Sequence, residues 1–96
     1  MLQPTYFSGL SKNLSASALI YTGSCCVQGI VVNSNSSGTL KLWDNTSAAT
    51  TILFNTITFG ATQAPIPLFG AKTTVGLYAT IGGTADITII YQPYQG

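Results

Sequence analysis

The stretch Val75-Gly76-Leu77-Tyr78-Ala79-Thr80-Ile81-Gly82-Gly83-Thr84-Ala85-Asp86-Ile87-Thr88-Ile89-Ile90-Tyr91 decides the fold class. Val75, Leu77, Ala79, Ile81, Ala85, Ile87, Ile89 and Tyr91 alternate with polar or amphipathic residues, the period of two that marks half-buried strands. Gly82-Gly83-Thr84 reads as the turn of a hairpin joining Val75–Ile81 to Ala85–Tyr91. A two-residue turn would place the two apolar sets on opposite faces. A three-residue loop pairs Ile81 with Ala85, gathers both sets on one face, and asks one glycine to take a positive φ.

The same pattern extends outward along the chain. Leu14–Tyr21 and Cys25–Asn33 read as strands, and Asn33–Gly38 reads as a polar surface loop. Thr39–Trp43 alternates Leu40 and Leu42 inward with Lys41 and Trp43 outward, and Thr51–Phe59 returns as its partner. Pro65 and Pro67 forbid a central strand over Ala61–Phe69 and allow an edge. No stretch carries helical periodicity. The expected fold is therefore all-β: a single antiparallel β-sandwich or jelly-roll-like domain of seven or eight strands over residues 13–96, preceded by an extended amino-terminal arm over 1–12. Cys25, Val27 and Val31 on one face and Cys26, Ile30 and Val32 on the other look like a strand that is apolar on both sides. Ile52 and Phe54 against Leu53, Ile57 and Phe59 look the same. Such strands suggest an outer face packed on another subunit.

Composition points the same way. Hydrophobic residues make up 46% of the 96 residues and charged residues only 5%, against a usual charged share of about 25%. Lys12, Lys41, Lys72, Asp44 and Asp86 are the whole set, and the formal net charge is +1. A lone domain normally keeps soluble with a mixed charged surface, so neighbours are expected to cover part of this one.

The missing residue types exclude whole classes of chemistry. Without His or Glu there is no ready general base, no paired carboxylates and no nucleophile motif, so no catalytic residue, metal site or cofactor is expected. Three scattered lysines make no nucleic-acid track, and no apolar run has the length of a membrane helix. No signal peptide is visible at Met1–Phe7. The adjacent Cys25 and Cys26 point to opposite faces of a strand, one buried and one not, with no disulfide framework implied.

Two groups of residues remain as candidate contacts. Leu2, Pro4, Tyr6 and Phe7 make an apolar and aromatic arm suited to adding to a neighbour's sheet edge or groove, an oligomer or capsid contact. Trp43, Tyr78, Tyr91 and Tyr94 are candidate exposed aromatics, able to anchor an interface or to stack on sugar rings.

Gly38-Thr39-Leu40-Lys41-Leu42-Trp43-Asp44-Asn45-Thr46, followed by Asn55-Thr56-Ile57-Thr58-Phe59, resembles a hairpin of small virion-associated proteins of tailed bacteriophages. Gly76–Tyr91 resembles their closing hairpin, and Val27–Asn33 fits the strand before it. The resemblance implies a small β-sandwich or jelly-roll module on virions, often trimeric, with no catalytic residues to carry over. The functional expectation is a phage virion structural protein made in the host cytoplasm. It would be a capsid decoration (cement) or head-appendage subunit that packs as a homo-oligomer, a trimer, and contacts other virion proteins such as the major capsid protein. The alternative expectation is a carbohydrate-binding or adhesive module of a tail fibre or receptor-binding appendage.

Overall fold

The computed structural model describes residues 9–93. They form one antiparallel sheet of six strands with no helix. The strands are β1 (Leu10–Leu14), β2 (Ala18–Thr22), β3 (Cys25–Trp43), β4 (Ile52–Thr58), β5 (Ile66–Lys72) and β6 (Gly76–Pro93). Two of them dominate. β3 and β6 pair along their whole length, from Cys25 opposite Pro93 to Trp43 opposite Tyr78. β1 and β5 flank one end of this ribbon and β2 and β4 flank the other.

The hairpin expected at Gly82-Gly83-Thr84 is absent: the segment lies inside β6. The loop expected at Asn33–Gly38 is likewise the middle of β3. Ile81 and Ala85 share a face in a three-residue hairpin and also in an uninterrupted strand, so burial parity is satisfied by both. The glycine expectation survives the correction, because Gly83 takes a φ of +68°. A side chain there would run into the backbone of Ser37, whose own φ is +58°. The reading also set its boundaries differently at the amino end. Leu10–Lys12, assigned to the arm, belong to β1, and Leu14–Tyr21 is split between β1 and β2.

The paired ribbon is folded back on itself. A straight strand of 19 residues would span about 60 Å at a rise near 3.3 Å, yet the longest dimension of the molecule is 37 Å. Two neighbouring residues locate the fold. Thr73 holds the start of β3, with the Cys25 N–H donating to its Oγ1 at 3.1 Å. Thr74 holds the end of β3, its N–H donating to the Asp44 carboxylate at 3.0 Å. Both ends of β3 therefore lie side by side. The rings of Tyr21, paired with Leu77 at one end of the ribbon, and Tyr91, near the other end of β6, stand 5.8 Å apart, which agrees.

Bulges make the bend and explain the pattern of burial. Pairing steps from Val27 opposite Tyr91 to Gly29 opposite Ile90, so β3 advances two residues for one on β6. The same slip recurs between Val32 and Ser34 and between Ser36 and Thr39. Each extra residue reverses the inward face of β3 and tightens its twist. Cys25 and Val27 point inward, then Ile30, and finally Leu40 and Leu42, all fully buried. The apparent two-faced strand is thus largely a one-faced strand with its register shifted. Its outer face keeps Cys26, Val31 and Trp43 as apolar groups. β4 is irregular too: Ile57 and Phe54 oppose the inward Leu40 and Leu42, while Ile52 opposes the outward Trp43.

One core fills the fold, built from Leu14, Ile30, Leu40, Leu42, Leu77, Ile87 and Ile89 with their neighbours. Thr73 is its one buried polar residue among those described, and its hydroxyl is fully used. It accepts from the Cys25 N–H and donates to the Gly23 carbonyl at 3.2 Å. Replacing it with the isosteric valine (T73V) strands both backbone groups, so the denaturant midpoint should fall by the equivalent of about 1–3 kcal/mol. A midpoint unchanged from wild type would show that Thr73 does not hold this end of the fold.

Candidate functional site

The outer face of the second half of the sheet carries an apolar row across four strands. Leu19 on β2 lies opposite Tyr78 on β6, Tyr78 lies opposite Trp43 on β3, and Trp43 lies opposite Ile52 on β4. The inward face of these strands is set by Ala79 and Leu42, both fully buried, so alternation sends all four members of the row outward. Leu19 is 40% exposed and Ile52 44%; Trp43 and Tyr78 are partly exposed.

Trp43 is held in place by two contacts. Its indole Nε1 donates to the Thr80 hydroxyl at 3.0 Å, and the Lys41 ammonium sits 4.4 Å from the centre of its ring. The lysine is attracted by the ring quadrupole. These contacts fix the aromatic as a flat, immobile part of the face. They also occupy the indole donor and a ring face that a bound sugar would use.

The opposite half of the sheet carries a polar cluster on its outer side. Asn13 and Asn33 amides both donate to Asp86 Oδ1, at 2.7 and 3.1 Å, and Asn33 also reaches the Thr88 hydroxyl at 3.0 Å. The Asn13 bond, then the Asn33 bond, hold the Asp86 carboxyl below its usual range. The cluster ties β1, β3 and β6 together and is internally satisfied.

Asp44 is the second carboxylate with a defined task. Its oxygens accept from the N–H groups of Thr74 and Val75, at 3.0 and 2.8 Å, and from the Thr74 hydroxyl at 3.0 Å. Burial pushes its pKa up, but the bonds from Val75, Thr74 and Gly76 outweigh that and hold it below the ordinary value. Cys25 is buried, and burial raises its thiol pKa; Cys26 is half-exposed. The expected contrast between the two cysteines is what the structure places.

Of the aromatic candidates read from the sequence, Trp43 and Tyr78 come together on one face. Tyr91 does not join them: it faces inward on β6, is 8% exposed and packs on Tyr21. Its odd number puts it with Ile87 and Ile89, so its side chain belongs to the core. Tyr94 and the arm residues Leu2, Pro4, Tyr6 and Phe7 lie outside the described residues. Leu19 escaped the sequence reading, and Ile52 entered it only as part of a two-faced strand, because cross-strand pairing, not local pattern, places them beside Tyr78 and Trp43. Phe69, 89% exposed on β5, was also missed. Its signal was the following Gly70, which marks a bulge.

Among the described residues no group of three or more His, Cys, Asp or Glu is placed to hold a metal ion. No protein-family model, no curated protein and no solved structure matches this chain.

Proposed function

We propose that this protein is a structural subunit of a larger particle, acting by packing as a homo-oligomer and not by catalysis. The observation that carries the reading is the row Leu19, Tyr78, Trp43 and Ile52, an uninterrupted apolar band across four strands of one outer face. Trp and Tyr flanked by aliphatic residues are the composition of interface centres. A chain with three lysines and two aspartates has little charge with which to keep such a band in solution. The resemblance to small virion proteins of tailed bacteriophages gives the particle its identity in this proposal: a capsid decoration or head-appendage subunit, of trimeric type, with a sandwich-like or jelly-roll-like build. The glycan-binding alternative is less well supported, because Lys41 and Thr80 already engage Trp43.

The test is fractionation of a lysate of the source culture by size, followed by detection of the protein. It should travel with particles of virion size. Recovery only at the size of a free small protein would contradict the proposal.

A further inference from the structure

The chain crosses from one half of the folded sheet to the other through Thr73–Gly76, between β5 and β6. Apolar burial does little to hold the middle of this crossing: Thr74 is exposed and Val75 is 52% exposed. Hydrogen bonds hold it instead. Thr73 grips the Cys25 backbone twice, its N–H donating to the Cys25 carbonyl at 2.7 Å and its Oγ1 accepting from the Cys25 N–H. Next along the chain, the Asp44 carboxylate gathers the N–H groups of Thr74, Val75 and Gly76 and the Thr74 hydroxyl, at 2.8–3.4 Å. The Val75 carbonyl accepts from the Gly23 N–H at 2.8 Å. Asp44 is the charged acceptor in this set, and bonds to a charged group are about twice as strong as neutral ones.

The Cys25 thiol lies beneath the crossing. It is fully buried, and its Sγ stands 3.4 Å from the Thr73 hydroxyl. Thr73 is therefore part of the cover over the thiol, and the residues that keep that cover shut are the ones Asp44 holds.

We propose that Thr73–Gly76 is an acid-opened latch: protonation of Asp44 frees the crossing and exposes Cys25 while the rest of the sheet stays folded. A protonated carboxyl presents weaker acceptors to these N–H groups and adds an O–H donor of its own. The carboxyl is held below its ordinary value, by the bonds from Val75, Thr74 and Gly76 against the opposing push of burial. Closure is therefore fully stabilised above about pH 4 and weakens as pH falls through the folded value. The other titratable groups around Asp44 are the Cys25 and Cys26 thiols, Tyr21 and Tyr78 on the flanking strands, Lys72 just before Thr73, and Lys41 earlier on β3. Thiols, phenols and ammonium groups do not titrate in the carboxylate range. Asp86, the other carboxylate side chain, belongs to the Asn13 and Asn33 cluster. A segment held by exposed hydrogen bonds and few apolar contacts opens at a lower cost than the whole fold. The latch does not depend on the subunit reading.

Thiol labelling of a C26A variant tests it, using a dipyridyl disulfide, which reacts with thiols in acid. Glutathione at each pH is the reference, since its thiolate declines with pH in the same proportion. From about pH 6 to about pH 2, the relative rate at Cys25 should rise by about 10-fold or more, the scale of losing bonds to a charged acceptor. Circular dichroism and the exchange protection of the Leu40 and Leu42 amides should not change over that range. Adding D44N, which has no proton to gain, should give a raised rate that no longer depends on pH; if that variant does not fold, the C26A series decides alone. A flat relative rate in C26A would overturn the latch, as would a rise seen only together with loss of the circular dichroism signal. A D44N rate that still climbs in acid would also overturn it. Monomer and oligomer give the same readout, so the subunit reading stands or falls separately.

Discussion

Substituting lysine for both Leu19 and Ile52 (L19K/I52K) is expected to weaken self-association by at least about 100-fold, equivalent to about 2.8 kcal/mol. Both side chains sit at the ends of the outer row and are well exposed, so the isolated subunit should keep its stability within about 0.5 kcal/mol. In the assembly the two new ammonium groups would be desolvated beside Tyr78 and Trp43 without carboxylate partners, and an unpaired buried charge is costly. Thermal unfolding followed by circular dichroism checks the fold, while sedimentation equilibrium gives the association constant. An unchanged constant would mean that the row faces solvent in the assembled state.

Removing the Asp44 carboxylate (D44A) is expected to cost about 2–3 kcal/mol of folding stability, the scale of hydrogen bonds to a charged group reduced for partial solvent exposure. Asp44 binds the Thr74–Gly76 backbone to the end of β3 while Thr73 binds its start, so its loss releases one of two clasps on the folded sheet. The effect has a pH signature. The folded pKa is depressed, so the stabilisation is present in full above the unfolded value of about 4. It fades as pH falls through the folded value. Wild type should therefore lose stability on acidification below about pH 4, and D44A should lose less over the same interval. Chemical denaturation at several pH values gives both numbers. Equal acid sensitivity in the two proteins would assign the acid limb to some other group, Asp86 being the remaining carboxylate side chain.

The division between what the sequence discloses and what it hides follows from the range of the interactions. Alternation over Gly76–Tyr91 and Thr39–Trp43 is local, so strand character, the inward set and the outward Trp43 and Tyr78 are legible. Pro67 on an edge strand is legible for the same reason, since a missing N–H is a local fact. Continuity of β3 and β6 is not. Asn33–Gly38 and Gly82–Thr84 have the composition of turns, and only their pairing with each other, Ser36 opposite Thr84 and Thr39 opposite Gly82, makes them strand.

The bulges are hidden too, and they matter for function. Ile30 and Val32 look outward if counted in twos from Val27, which made β3 look two-faced. With the slip between Val27 and Gly29, Ile30 joins the core and Val32 packs against it, and the apolar outer row lies on the other half of the sheet. There, Leu19 and Ile52 meet Tyr78 and Trp43 only through cross-strand register. The clasp of Asp44 on Val75 and the projection of Phe69 depend on three-dimensional placement in the same way.

The central claim is that neighbouring subunits cover the apolar row, and the association state of the purified protein tests it most directly. Sedimentation across a dilution series through the micromolar range should show a species of constant mass, a multiple of the 10.0 kDa chain. A monomer at every concentration would contradict it.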